Sequence, residues 1–174
     1  TFNKITNEIV ITADSDSKTY DGTPLTNDGY TYTEGVLAKG DVLTAVVEGT
    51  ITNVGTAANK VTSYQVKRGD TDVTANYTFG KSVNGTLEIT KRAVTLTSAT
   101  DSKTYDGIAL TNHEVTVTGD GFVAGEGATY DVTGTITDPG TKDNTFTYTL
   151  KEGTLAGNYE IETVYGTLTI NKIT

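Results

Sequence analysis

The sequence predicts a mainly β protein built from two tandem copies of one small domain. Three observations carry that prediction: an internal repeat, a composition rich in Thr and Gly, and apolar residues that alternate with polar ones. The repeat is the strongest. Asp16-Ser17-Lys18-Thr19-Tyr20-Asp21-Gly22 recurs as Asp101-Ser102-Lys103-Thr104-Tyr105-Asp106-Gly107, 85 residues later. The same offset matches Leu25-Thr26-Asn27 to Leu110-Thr111-Asn112, Gly49-Thr50-Ile51-Thr52 to Gly134-Thr135-Ile136-Thr137, and Gly55-Thr56 to Gly140-Thr141. Further on the offset shrinks, pairing Asn76-Tyr77 with Asn158-Tyr159 and Gly85-Thr86-Leu87 with Gly166-Thr167-Leu168. Self-similarity of this length means two copies of one folding unit, placed at 1–91 and 92–174. The shrinkage is expected to reflect small deletions in loops of the second copy, where they are best tolerated.

Composition agrees. Threonine is the commonest residue, and its β-branched side chain suits a pleated surface while its hydroxyl tolerates water. The 19 glycines fit many short strands joined by tight turns. A unit of this size buries a modest share of its chain, so each core must be lean, and 35% apolar residues is enough for strands that hide one face.

The strands follow from alternation with a period of two. Ile9 and Ile11 correspond to Val94 and Leu96. Ala45, Val47, Gly49 and Ile51 correspond to Tyr130, Val132, Gly134 and Ile136. Phe146, Tyr148 and Leu150 alternate, as do Tyr159 and Ile161, while Leu87 and Ile89 match Leu168 and Ile170 and leave Thr86, Glu88 and Thr90 for solvent. No helix of ten residues is expected. Val36-Leu37-Ala38-Lys39 could form one helical turn, which would give a β-grasp-like unit; without it the unit is a β-sandwich. Asn3-Lys4-Ile5-Thr6 reappears as Asn171-Lys172-Ile173-Thr174, and Ile89-Thr90-Lys91-Arg92-Ala93-Val94-Thr95 plays that part between the copies. No Pro, Gly or Ser run separates them, so the expected arrangement is an end-to-end rod within a longer array.

Several function classes are disfavoured. The absence of Cys removes disulfides, thiolate zinc sites and a thiol nucleophile. A net charge of −9 argues against nucleic acid as a partner. No apolar run approaches a membrane span, so membrane insertion is not expected. No enzyme activity and no cofactor are expected. His113 lies in a predicted strand of the second copy alone, with no nucleophile motif around it. Asp14-Ser15-Asp16 and Asp70-Thr71-Asp72 space carboxylates as oxygen-ligand sites do, but neither pair is whole in the second copy, so no metal is expected.

Lys-Thr-Tyr-Asp-Gly is the most distinctive motif. Asp-Gly signals a turn, because Gly accepts positive φ and Asp caps its own turn. Lys18, Tyr20, Asp21 and Gly22, with Lys103, Tyr105, Asp106 and Gly107, are therefore read as structural, the tyrosines anchoring the turn to the core or to the domain joint. This motif with its following Leu, the central Gly-Thr-Ile-Thr, the Asn-Tyr pair and the closing Gly-Thr-Leu-x-Ile-x-Lys resemble the YDG/MBG-type repeats of bacterial cell-surface proteins along nearly the whole chain. The resemblance implies an extracellular location on a bacterial surface, cell-wall anchored or secreted, and a structural or adhesive role. Surface stalks of that kind sometimes carry Lys–Asn isopeptide bonds promoted by an acid. The candidates would be Lys18, Asn76 and Asp21, and Lys103, Asn158 and Asp106, although a solvated Lys is the commoner state. The expected role is a stalk or spacer projecting a distal binding head. The alternative is an adhesive module that binds host glycan, mucin or matrix protein through tyrosines such as Tyr30 and Tyr32. The chain is expected to be monomeric, its partners being neighbouring repeats.

Overall fold

The computed structural model describes residues 8–174, so the predicted counterpart Asn3-Lys4-Ile5-Thr6 lies outside the described residues. The chain divides into two compact units, Thr1–Thr90 and Lys91–Thr174. Strands dominate both, and among the described residues the helical content is two 3-10 turns, Thr74–Asn76 and Ala156–Asn158. The turn at Val36–Lys39 on which a β-grasp-like unit depended is not helical. Val36 and Leu37 instead lay apolar side chains on the core from an irregular loop.

The second unit shows the plan most plainly. Strand β8 (Arg92–Ser98) is the centre of a sheet, with β10 (Val115–Gly119) antiparallel on one side and β14 (Tyr159–Val164) parallel on the other. After Ser98 the chain steps into a second sheet as β9 (Asp101–Thr104). There β15 (Gly166–Asn171) runs parallel to β9 and antiparallel to β12 (Gly140–Asn144). A third pairing joins β11 (Ala128–Val132) to β13 (Phe146–Leu150). Three stretches thus pass from one sheet to another: β8 into β9, β12 into β13, and β14 into β15. Leu110, Ile136, Leu168 and Ile170 form the core beneath the β9–β15–β12 sheet.

The first unit repeats this plan. Its strands are β1 (Ile11–Ala13), β2 (Asp16–Thr19), β3 (Tyr30–Tyr32), β4 (Asp41–Glu48), β5 (Gly55–Arg68), the short β6 (Thr71–Asp72) and β7 (Gly85–Thr90). β1 pairs with β3, and β2 runs parallel to β7. β5 serves two sheets, its first half against β7 and its second against β4. Ile9, Ile11, Leu43 and Val66 form one core, covered by Tyr30, Ala45, Val61, Tyr77 and Phe79. Leu87 and Ile89 are buried, while Thr86, Glu88 and Thr90 face solvent as alternation predicted.

Three sequence expectations need correction. The strands containing Ala45 and Tyr130 stop at Glu48 and Val132, short of Gly49–Ile51 and Gly134–Ile136. Ile51 and Ile136 instead form isolated bridges to Leu25 and Leu110. His113 is exposed in the loop before β10 rather than in a strand. Finally, the length differences are not confined to loops. Val46 pairs with Ser63 and Val47 with Val61, so Thr62 is an extra residue bulged from β5, and the second copy lacks it. Likewise Ile9 bridges Phe79 and Thr12 bridges Val83, whereas the equivalent Val94 and Thr97 pair with Ile161 and Val164. The first copy therefore fits one more residue into the same span of partner strand. A bulge absorbs such an insertion because only the local ladder is interrupted while the flanking side chains keep their faces.

Candidate functional site

The Lys-Thr-Tyr-Asp-Gly turn follows the short strands β2 and β9. Gly22 and Gly107 take φ of 82° and 79°, a region that favours glycine. In the first copy one oxygen of Asp21 accepts three bonds: from Lys18 Nζ at 2.9 Å, from Thr23 N at 2.9 Å and from Thr23 Oγ1 at 2.7 Å. These donors hold the Asp21 carboxyl far below its ordinary range, the Thr23 hydroxyl contributing most and Lys18 next. In the second copy Lys103 Nζ lies 2.9 Å from Asp106, and Ile108 N donates to the same carboxylate at 2.9 Å. Ile108 replaces Thr23, so the hydroxyl bond is gone. The Asp106 carboxyl is still lowered, chiefly by Lys103 and then by the Ile108 N–H.

The tyrosines of the motif do not share one fate. Tyr20 is 6% exposed and Tyr105 37%, although each backbone N–H makes the same bond, to Thr90 O and Asn171 O respectively, both at 2.8 Å. The Tyr20 ring is thus buried and the Tyr105 ring partly exposed, while the backbone bond is common to both copies.

Of the isopeptide candidates, Lys18 and Asp21 are brought together, as are Lys103 and Asp106. Lys18 Nζ also donates to Thr23 Oγ1 at 2.8 Å, so its ammonium is engaged inside its own turn. Asn76 is exposed and Asn158 buried, each ending a 3-10 turn in the segment before the last strands. One acid of each pair considered for calcium is engaged locally. Asp16 Oδ2 accepts Asn27 Nδ2 at 3.1 Å, and Asp72 Oδ1 accepts Thr74 N and Oγ1 at 2.9 and 2.6 Å. No cluster of three or more His, Asp or Glu that could hold a metal occurs among the described residues.

Two further arrangements lie outside the repeated motif. Asn59 and Asn144 are fully buried at matched positions. Asn59 Nδ2 donates to Asp14 O and Asn27 O, both at 2.8 Å, and Asn144 Nδ2 donates to Ala99 O at 3.0 Å and Asn112 O at 2.9 Å. The amide orientation is forced, since a flip would set an oxygen against two carbonyls. Each Asn ties the point where the first strand changes sheets to the loop that follows it. Asn27 and Asn112 extend the clasp to Asp16 and Asp101, both at 3.1 Å. Neither Asn59 Oδ1 nor Asn144 Oδ1 has a hydrogen-bond partner. Each packs against a glycine: a Cβ on Gly49 would lie 2.7 Å from Asn59 Oδ1, and one on Gly134 would lie 2.2 Å from Asn144 Oδ1.

The second arrangement is an acid–tyrosine pair. Tyr77 donates to Asp41 Oδ2 at 2.5 Å and accepts Ala38 N–H at 2.9 Å, while Arg68 Nε donates to Asp41 Oδ1 at 2.7 Å. The Asp41 side chain is 2% exposed. Arg68 and then Tyr77 lower the Asp41 carboxyl, and the bond to Asp41 raises the Tyr77 phenol. In the second copy Tyr159 accepts Val123 N–H at 3.1 Å. Burial foremost, with the Glu126 carboxylate at Asp41's position adding to it, raises the Tyr159 phenol. The missed signals were Asn59 and Asn144, which share the 85-residue offset, and Gly40-Asp41 recurring as Gly125-Glu126.

Tyr30 packs on the core, whereas Tyr32 is 37% exposed beside a shallow open depression formed with Thr31, Glu34, Gly35 and Leu37. The second copy has Val115 and Val117 there. No family model, curated protein or solved structure matches the chain. Among the described residues, no helix is long and apolar enough to cross a membrane.

Proposed function

We propose that the chain is a stalk or spacer segment of a bacterial cell-surface, adhesin-like protein, acting outside the cell and holding a distal binding head away from the surface. One observation carries this reading. The polar groups repeated in both copies bond inward, to the backbone and side chains of their own repeat. Asn59 and Asn144 clasp carbonyls, Lys18 and Lys103 close on Asp21 and Asp106, and Tyr77 and Tyr159 hold their loops. Duplication has kept what stabilises a unit, as expected when length itself is the product. The connection supports it: β7 ends at Thr90 and β8 begins at Arg92, leaving Lys91 alone between two strands. A one-residue link has little freedom to bend, and the proposed arrangement is a rod of repeats in series. Small-angle scattering tests this. An elongated particle of fixed maximum dimension supports the spacer, and a compact or freely jointed pair rejects it.

The second reading is adhesion to host glycan, mucin or matrix protein. Tyr32 favours it, an exposed ring beside the Glu34 carboxylate in an open depression. Because the second copy carries Val117 there, binding would belong to the first repeat. A glycan and mucin array tests it: a signal abolished by Tyr32→Ala supports adhesion, and silence at high protein concentration leaves the spacer.

A further inference from the structure

We propose that each repeat is a tension-bearing unit, in which the first and last strands form a parallel ladder that a stretched chain must shear. This rests on the stalk reading for its purpose but not for its mechanics. In the second repeat β8 runs parallel to β14 over six positions, from Arg92–Tyr159 to Thr97–Val164. The same two stretches then continue side by side as β9 and β15 over four more, from Asp101–Leu168 to Thr104–Asn171. Where the chain steps between sheets, side-chain hydroxyls bridge the gap: Gly166 N donates to Ser98 Oγ at 2.9 Å and Thr167 N to Thr100 Oγ1 at 3.1 Å. The Tyr105 N–H bond to Asn171 O, at 2.8 Å, closes the far end.

The geometry fixes how load is shared. Because the paired strands are parallel, the chain enters the unit at one end of the ladder and leaves it at the other. Tension on those ends slides one strand along its neighbour, so the bonds of the ladder are strained together rather than one after another. An antiparallel pair pulled apart at one end surrenders its bonds singly. Forced unfolding is governed by the unfolding barrier, which the shared load raises.

The first repeat has the same device in a weaker form. β2 and β7 pair over four positions, and Thr86 N donates to Ser15 Oγ at 2.9 Å. Upstream, among the described residues, the ladder is interrupted rather than continuous: Ile9 bridges Phe79 and Thr12 bridges Val83, held by backbone bonds from Ile9 N to Thr78 O, Gly80 N to Ile9 O, Val83 N to Ile11 O and Ala13 N to Val83 O, with one extra residue between the bridges. At the step between sheets Ala13 stands where the second repeat has Ser98, so that hydroxyl bridge is absent. The first repeat therefore yields at lower force.

Single-molecule stretching of the whole chain tests this, since the protein has no Cys and attachment points can be placed at will. Handles at the two ends should give two unfolding events of unequal force, the weaker extending the chain by the length of the first repeat. Handles on Thr129→Cys and Thr149→Cys, directly opposite each other on β11 and β13, load an antiparallel pair across its bonds. The second repeat should then open at several-fold lower force. Equal forces in the two geometries would overturn the proposal, as would a first repeat that outlasts the second. Low force from a chain that scatters as a long particle would reject the ladder and leave the stalk. High force from a compact particle would do the reverse.

Discussion

In the second repeat β14 lies against β8 for six consecutive positions, whereas among the described residues of the first repeat the corresponding ladder is interrupted between the bridges Ile9–Phe79 and Thr12–Val83. The side chains at those bridges are nonetheless equivalent, and Ile9 and Val94 are buried alike. The same is true at Thr62, whose extra residue is pushed out of β5 while Val61 and Val66 remain in the core. The comparison teaches that the faces of the strands, not the continuity of the ladder, define this unit. An added residue is tolerated inside a strand when the apolar positions on either side keep their register. At the step between sheets both copies keep a buried Asn, Asn59 and Asn144, and a close-packed glycine, Gly85 and Gly166, at matched positions.

The largest effects are expected at that step. Asn144→Ala strips Ala99 O and Asn112 O of their donor, and should destabilise the second repeat by about 3 kcal/mol. Asn59→Ala should do the same to the first repeat. Urea unfolding read by residue-resolved NMR separates the two, and a loss under about 1 kcal/mol would break the claim that the clasp is a shared requirement. Gly166→Ala would set a Cβ 2.3 Å from Ala99 O, and Gly85→Ala would set one 2.1 Å from Asp14 O. Both substitutions should be at least as damaging, because the obstacle is backbone.

A deletion sharpens the comparison in the opposite direction. Removing Lys81 would give the first repeat the spacing of the second between its bridges. Amides of residues 78–83 should then exchange more slowly, with stability changed by no more than about 1 kcal/mol. Unfolding of the first repeat on deletion would mean that its extra residue is required rather than tolerated.

A smaller effect is expected at the acid–tyrosine pairs. Tyr159→Phe removes the acceptor of the Val123 N–H and should cost about 1 kcal/mol. Tyr77→Phe removes the acceptor of the Ala38 N–H and one of the two side-chain partners of Asp41, and should cost about 2 kcal/mol in its own repeat. A loss under about 1 kcal/mol in calorimetry would show that the Tyr77–Asp41 bond adds nothing to the first copy.

The smallest effects belong to the exposed turns. Asp21 and Asp106 both have lowered carboxyl pKa values, so each turn adds stability at pH above the ordinary Asp value of about 4, and that contribution is lost as the pH falls through the lowered values. In a carboxyl NMR titration Thr23→Ala should raise Asp21 toward Asp106, and Ile108→Thr should lower Asp106 toward Asp21. Unmoved titrations would place the difference between the turns elsewhere.

Much of this architecture was legible in the sequence, for definite reasons. Leu87, Ile89, Leu168 and Ile170 alternate with polar residues because one face of their strand is buried, and that pattern survives without coordinates. The Asp-Gly turns were legible because their chemistry is local. Sheet membership was not. Nothing in the alternation marks the step at Ala99–Thr100 between β8 and β9. Asn59 and Asn144 were passed over because a polar residue among threonines looks solvent-facing, and their burial follows from a crossing far away in sequence. Gly49 and Gly134 read as strand residues because they keep the parity, although the strands end before them. His113 read as strand for the same reason, yet β10 begins only at Val115.

The measurement that most directly tests the account is the set of interstrand NOEs in solution. Contacts between Ile9 and Phe79 and between Thr12 and Val83, matched by Val94 with Ile161 and Thr97 with Val164, are the result predicted for one topology used twice. Contacts in one half without their counterparts in the other, or an antiparallel register between the first and last strands, would contradict it.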